Sequence, residues 1–277
     1  MSGTRNGLAA EMLKRQRTEL KMKTLKPEML KLVKRKKKPL RVGFLPVNDC
    51  APLAVAREFG LFEKYGLSVE LERESSWKEL HEQLVFRQIE AAHASAALPF
   101  LMRMGVTPEQ VPCVTGLVLS LQGSAVTISE ALWRKGVHDA EGLGKLILRD
   151  KGRRVYTFAV DLPFSSDYFL LCHWLRLGGL TPLRTVRIIK VAPSEMFPML
   201  KLGYLDGYCV GEPWTTVAVQ SGVGRCVATS AQLAPLHPEK ILLVREDFAE
   251  RRADEHERMV AALIEACAFC DKEENRA

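Results

Sequence analysis

No stretch of this 277-residue sequence approaches the roughly 18 consecutive apolar residues that a membrane-spanning helix requires. Signatures of common catalysis are missing too. There is no glycine loop that cradles phosphates, no Cys/His set at zinc spacing and no serine nucleophile elbow. No internal repeat is evident. Catalysis is therefore set aside, and no cofactor and no metal are expected. Paired cysteines are lacking as well. The seven thiols, at 50, 113, 172, 209, 226, 267 and 270, are odd in number, irregular in spacing and mostly flanked by apolar residues. That suits a reduced compartment better than a disulfide framework. Cys267 and Cys270 lie within a helical pattern and read as two helix thiols.

What is present is unevenly charged. The net charge is +7, but residues 1–40 hold 13 Lys/Arg against three Glu, leaving 27 against 30 for the rest. The body is nearly neutral, so direct DNA binding by it is not expected. The basic leader, residues 1–39, has its leucines scattered among charges. It therefore lacks the continuous apolar segment of a secretory signal. Three readings stay open for it: a disordered or partly helical tail, a surface for acidic lipid or RNA, and a mis-assigned start. A cytoplasmic location is expected, or a periplasmic or membrane-associated one if the start is mis-assigned.

From Leu40 onward, strand and helix patterns alternate. Arg41–Leu45 reads as an apolar strand and Pro46–Asp49 as a loop. Pro52–Tyr65 has Leu53, Ala56, Phe59 and Phe62 at helical spacing, Gly66 ends that helix, and Ser68–Glu72 alternates as a strand. This is a β-α-β unit with parallel strands. Further on, Cys113–Leu121 reads as a strand, Ser166–Leu177 as a helix closed by Gly178-Gly179, and Tyr208–Val210 as a short strand. That strand breaks at Gly211-Glu212-Pro213-Trp214. Such breaks at strand ends are where open α/β sheets hold ligands. The alternation predicts a mainly parallel sheet in each of two blocks. The chain crosses between them near Leu119–Ser124 and returns near Thr229–Leu243.

The segments RVGFLPVNDCAPLAVAREFGLFEKYGLSVEL, SSW, LQG, WLRLGGL, LDGYCVGEPW and HPEK occur in that order. Together they resemble the nitrate- and bicarbonate-binding proteins of ABC-type importers, a family that also includes cytoplasmic nitrate sensors. The resemblance runs from about Leu40 to the last residue. It implies a two-lobed α/β fold of the type II periplasmic-binding-protein kind, with lobe one in residues 40–121, lobe two in 122–229 and a return segment in 230–277. In the family, lobe one is completed by chain beyond the point where this sequence stops. An incomplete lobe one, with apolar surface uncovered and a poorly stable or self-associating product, is the matching expectation.

The implied function is non-catalytic binding of a small inorganic anion between the lobes, with nitrate or nitrite ahead of bicarbonate. A closed state would be read by an ABC permease and ATPase, or by an antitermination regulator. The alternative is a type II binding-fold enzyme, or a binder of a thiamin precursor or a sulfonate-like ligand. Implied ligand contacts are Trp77, Gln122 with Gly123, Ser165, Ser166, Glu212 with Pro213, and Lys240. Trp77 offers an indole N–H and a ring face, Gln122 an amide, and Lys240 the cation. Ser165 and Ser166 stand where the family typically has Thr and His, which opens the site to a bulkier or different anion. Glu212 is expected to fix the loop or to pair with Lys240. His173 is expected to pack rather than bind.

Overall fold

The first β-α-β unit forms as its residue pattern requires, in a computed structural model that describes residues 38–107 and 110–275. Strand β1 (Leu40–Phe44) lies parallel to β2 (Val69–Arg73), with Leu40 opposite Val69. The predicted helix between them is two helices, Ala51–Glu58 and Leu61–Lys64. Gly60 sits between them at φ 65°, a left-handed conformation that breaks the helical ladder at little cost to glycine. Residues 1–37 of the basic leader lie outside the described residues.

The other strands are β3 (Ala91–Ser95), β4 (Cys113–Leu121), β5 (Ser124–Ser129), β6 (Thr157–Val160), β7 (Arg187–Lys190), β8 (Gly207–Gly211), β9 (Gly224–Thr229) and β10 (Pro238–Arg245). They form two five-stranded sheets, ordered β2-β1-β3-β10-β4 and β7-β6-β8-β5-β9. The expectation of mainly parallel sheets needs amending, because both are mixed. Strand β10 runs antiparallel to β3 and β4, and β5 runs antiparallel to β8 and β9. These reversed strands are the two that enter from the other sheet. They arrive without the helical crossover that a parallel neighbour needs. Gln122 and Gly123, both at positive φ, make the two-residue step from β4 to β5.

Both faces of each sheet are covered. In the first, Val42 and Leu242 pack against Phe62, Met259 and Leu263, while Leu243 packs on the other face with Leu80, Leu84 and Met102. In the second, Phe158 packs with Leu171 and Trp174, and Tyr208 with Met196 and Leu200. Each such buried side chain contributes about 1.5–3 kcal/mol. One close approach fixes the second layer. A methyl group on Gly144 would overlap the Gly178 carbonyl, and one on Gly178 would overlap the Ala140 carbonyl. The helices Ala140–Asp150 and Ser166–Leu177 therefore meet backbone to backbone.

Candidate functional site

The C-terminal ends of β3, β6 and β8 face one cleft. The N-terminal ends of the reversed strands reach the same edge, because Lys240 is the register partner of Ser95 and Ser124 that of Gly211. Open α/β sheets place ligands at such an edge.

Lys240 is the centre of this region. It is expected from the sequence as the cation of the site. Strand β10 begins at Pro238 and carries Lys240 inward, leaving it 4% exposed. Its ammonium lies 2.8 Å from Glu239 Oε1 and 3.0 Å from Asp49 Oδ2, and 5.5 Å from the centre of the Trp77 ring. An ammonium has three N–H groups. Two are directed at carboxylates, and the charge also faces an aromatic ring. Burial works against the charged form of Lys240, but the Glu239 and Asp49 carboxylates outweigh it and push its pKa up. Burial likewise disfavours the Asp49 carboxylate, and the Lys240 ammonium outweighs it, holding that carboxyl well below its usual range. Glu239 follows the same logic, opposed by burial and lowered overall by Lys240 and His237.

The network extends in both directions. His237 Nε2 is 3.0 Å from Glu239 Oε2 and Nδ1 is 2.9 Å from the Ala234 carbonyl. Both ring nitrogens face acceptors, which favours the imidazolium. The hydrogen bond to Glu239 accordingly raises the His237 pKa against the pull of burial. At the other end, His93 Nε2 stands 3.1 Å from Asp49 Oδ1. This contact adds to Lys240 in holding the Asp49 carboxyl low.

The opposite wall is acidic. Asp161 and Asp167 are buried. Burial raises both carboxyl groups. Lys240 partly opposes the rise for Asp161, and for Asp167 the Asp161 and Glu239 carboxylates add to it. Ser165 caps the helix Ser166–Leu177 by accepting from the Tyr168 N–H, and donates to Asp161 Oδ1 at 3.1 Å. Its hydroxyl is thus engaged within the protein. The Ser166 hydroxyl is 3.4 Å from that of Ser95, a contact across the cleft.

The structure brings most of the predicted residues to the cleft, with some changes of part. Trp77 starts a helix capped by Ser76 and is buried, with its indole N–H unpartnered. Gln122, Gly123 and Glu212 line a 240 Å³ recess with Asn48, Asp49 and Ser120. Glu212 does not pair with Lys240. Its Oε2 accepts from the Thr216 N–H at 3.1 Å, its carbonyl accepts from the Asn48 N–H, and its own N–H reaches the Gly123 carbonyl. It therefore fixes the loop at the strand end, with Pro213 as the residue before the helix Trp214–Gln220. His173 does not pack inside. It is exposed and lines a 440 Å³ cavity with Ser166 and Phe169. Sequence reasoning missed Asp49, His93, Glu239, Asp161 and Asp167. The only signal was the position of Asp49 and Glu239 within resembling segments. Among the described residues no group of His, Cys, Asp and Glu has an arrangement that holds a metal ion.

Among these buried groups the Trp77 indole N–H has no protein partner, while the Ser124 hydroxyl faces Asp167 and His93 Nε2 faces Asp49. Leaving an indole N–H buried and unsatisfied costs about 1–3 kcal/mol.

Two sheets joined by crossing strands, with polar side chains converging between them, define the periplasmic-binding-protein class of fold. The NMT1-like family matches residues 33–277, and the chain belongs to that family. The periplasmic nitrate-binding protein NrtA of Synechocystis PCC 6803 superposes with a TM-score of 0.81 at 29% identity, over 87% of this chain and 64% of that one. The nitrate import ATP-binding protein NrtC of Synechocystis is 36% identical over 86% of this chain and 36% of its own length. The bicarbonate-binding protein CmpA of Synechococcus is 27% identical over 87% of this chain and 55% of its own. The chain thus spans about a third to a half of the length of these curated relatives.

Proposed function

We propose that the cleft binds a small oxyanion without chemical conversion, as the solute-recognition part of an ABC-type import system, and that bicarbonate is preferred to nitrate. The carrying observation is the mixed character of the buried polar groups. Trp77 Nε1–H lacks an acceptor, and the buried carboxyl groups of Asp49 and Asp167 lie in the same cleft. Nitrate presents acceptors only. Bicarbonate presents two oxygens and one O–H, and so answers both kinds of group. The electrostatics support the same choice. Lys240 already serves two carboxylates, so an acceptor-only anion meets little free positive charge. Relatives named for nitrate and bicarbonate import support the importer reading over the antitermination regulator, with a permease and an ATPase as partners.

Calorimetric titration with bicarbonate and nitrate at one pH tests this. Saturable heat with bicarbonate, at least about tenfold tighter than any with nitrate, is expected. Equal or tighter nitrate binding would overturn the preference. Turnover of either anion would overturn the non-catalytic reading.

A further inference from the structure

Cys267 and Cys270 take no part in the anion cleft, yet both face a cavity. They lie three residues apart at the C-terminal end of the helix Ala253–Asp271. The cavity has a volume of about 410 Å³, and its opposite walls are Ala51 and Pro52 of the helix Ala51–Glu58 and Val118 and Leu121 of β4. Neither cysteine is in a disulfide. Both are only partly buried, so a small reagent reaches them from solvent.

The spacing suits a bond between the two sulfurs. Helix geometry sets Cα atoms three residues apart at roughly 5 Å, inside the span of about 4.4–6.8 Å that a disulfide bridges. Cβ atoms at this spacing are about 5–6 Å apart, and a disulfide draws them to about 3.5–4.5 Å. Closing that gap requires the turn to tighten. In a 3-10 turn residues i and i+3 eclipse, which is the tightening needed. The chain already takes that pattern just beyond the pair. The Lys272 N–H donates to the Phe269 carbonyl at 3.3 Å, the Asn275 N–H donates to the Lys272 carbonyl at 3.1 Å, and Glu273–Asn275 is a 3-10 helix. Cys267 is the fixed member, since its thiol lies 3.7 Å from the Leu119 carbonyl of β4. Cys270, in the last turn, is the one placed to move. The remaining five thiols include no pair on one helix turn.

We infer that Cys267 and Cys270 form a reversible thiol–disulfide exchange site for small disulfides. The Cys270 thiolate attacks one sulfur of the reagent. The reagent S–S bond breaks, one thiolate leaves, and a mixed disulfide stands on Cys270. The Cys267 thiolate then attacks the Cys270 sulfur, forms the intrahelical bond and expels the second reagent thiolate. The protein gives up two protons and two electrons, and the reagent disulfide is reduced to two thiols. Burial pushes Cys267 up to about 11 and raises Cys270, and the Asp271 carboxylate adds to both. Asp49 is the other acid on the cavity wall, while β4 and the helix Ala51–Glu58 bring no charge to it. Exchange is therefore slow at neutral pH and quickens by up to about tenfold per pH unit as thiolate forms. The chain would carry this disulfide in an oxidising compartment and two thiols in a reducing one. None of this depends on which anion fills the cleft.

The full chain treated with bis(2-hydroxyethyl) disulfide at mildly alkaline pH, alkylated and mapped by peptide mass spectrometry tests it. Cys267 and Cys270 should appear in one peptide two hydrogens lighter than its reduced form, restored by dithiothreitol. Exposed Cys226 should carry only a mixed disulfide and serves as the reference for reagent access. Cys267→Ser should halt the reaction at the mixed disulfide on Cys270. Cys270→Ser should slow adduct formation at Cys267 about tenfold or more relative to Cys226. Absence of the linked peptide in the folded wild-type chain would overturn the inference. So would linkage of either thiol to Cys50, whose neighbour Ala51 lines the same cavity. Equal adduct at both positions in the two variants would overturn the attack by Cys270. Circular dichroism confirms that each variant keeps its helices, and if one does not, the wild-type peptide map decides alone.

Discussion

Replacing Asp49 by Asn tests the idea that Lys240 is held charged but internally neutralised. Asp49 Oδ2 is 3.0 Å from an ammonium that is 4% exposed. Breaking a buried ion pair by removing one partner costs about 3–5 kcal/mol. Glu239 remains at 2.8 Å and the amide oxygen can still accept, so we expect less, about 2–3 kcal/mol. For a chain of this size that corresponds to a melting temperature lower by roughly 4–10 °C. Anion binding should move the other way, because one negative charge leaves the site. A unit charge about 4 Å away at an effective dielectric of 20 is worth about 4 kcal/mol. Even after heavy discount for screening and rearrangement, affinity for nitrate should rise about tenfold or more, and the preference for bicarbonate should narrow. The pH dependence follows from the lowered folded-state pKa of Asp49. Its contribution is fully present above the unfolded value of about 3.9 and is lost as pH falls toward the folded value. The stability gap between wild type and D49N should therefore be largest above about pH 5 and shrink below pH 4. Thermal melts from pH 3 to 8 and parallel calorimetry measure both quantities. Unchanged melts together with unchanged anion affinity would refute the reasoning.

Three further outcomes are expected. His237 has a raised folded-state pKa, so its contribution is present below the unfolded value of about 6.5 and lost as pH rises through the folded value. His237→Gln should accordingly cost more stability at pH 6 than at pH 9 in denaturant titrations, and an equal cost at both would argue against the imidazolium. Gly144→Ala should destabilise by about 1–3 kcal/mol, because its methyl meets the Gly178 carbonyl and the two helices must separate. A neutral or stabilising effect in the same assay would contradict the backbone contact. Ser165→Ala removes a helix cap worth about 1 kcal/mol and a donor to buried Asp161, so about 2–3 kcal/mol of stability should be lost. A loss below about 0.5 kcal/mol would show that the hydroxyl is replaceable by water.

Much of the fold was legible in the sequence. Strand β4 and the helix Ser166–Leu177 fall where an apolar run and a glycine stop place them. These signals are local, and each depends only on neighbours within a turn or a strand. The direction of β5 and β10 was not legible, since parallel and antiparallel neighbours demand the same side-chain pattern. The helix break at Gly60 was overlooked because the apolar spacing continues through it.

For the site, sequence resemblance brought Trp77, Gln122, Ser166 and Lys240 to one cleft, but their parts depended on partners far along the chain. Lys240 looked like a free cation because its neighbours in sequence say nothing about Asp49. His173 looked like a packing residue because helical spacing does not reveal which face borders a cavity. The sequence by itself determined the alternation of elements, the positions of the turns and the membership of a family, because these reside in short segments. Only the tertiary structure decided that Lys240 is buried and paired, that Ser165 is occupied by Asp161, and that an apolar cavity opens behind Ser166. Burial, charge pairing and empty volume are set by which distant segments the two sheets bring together.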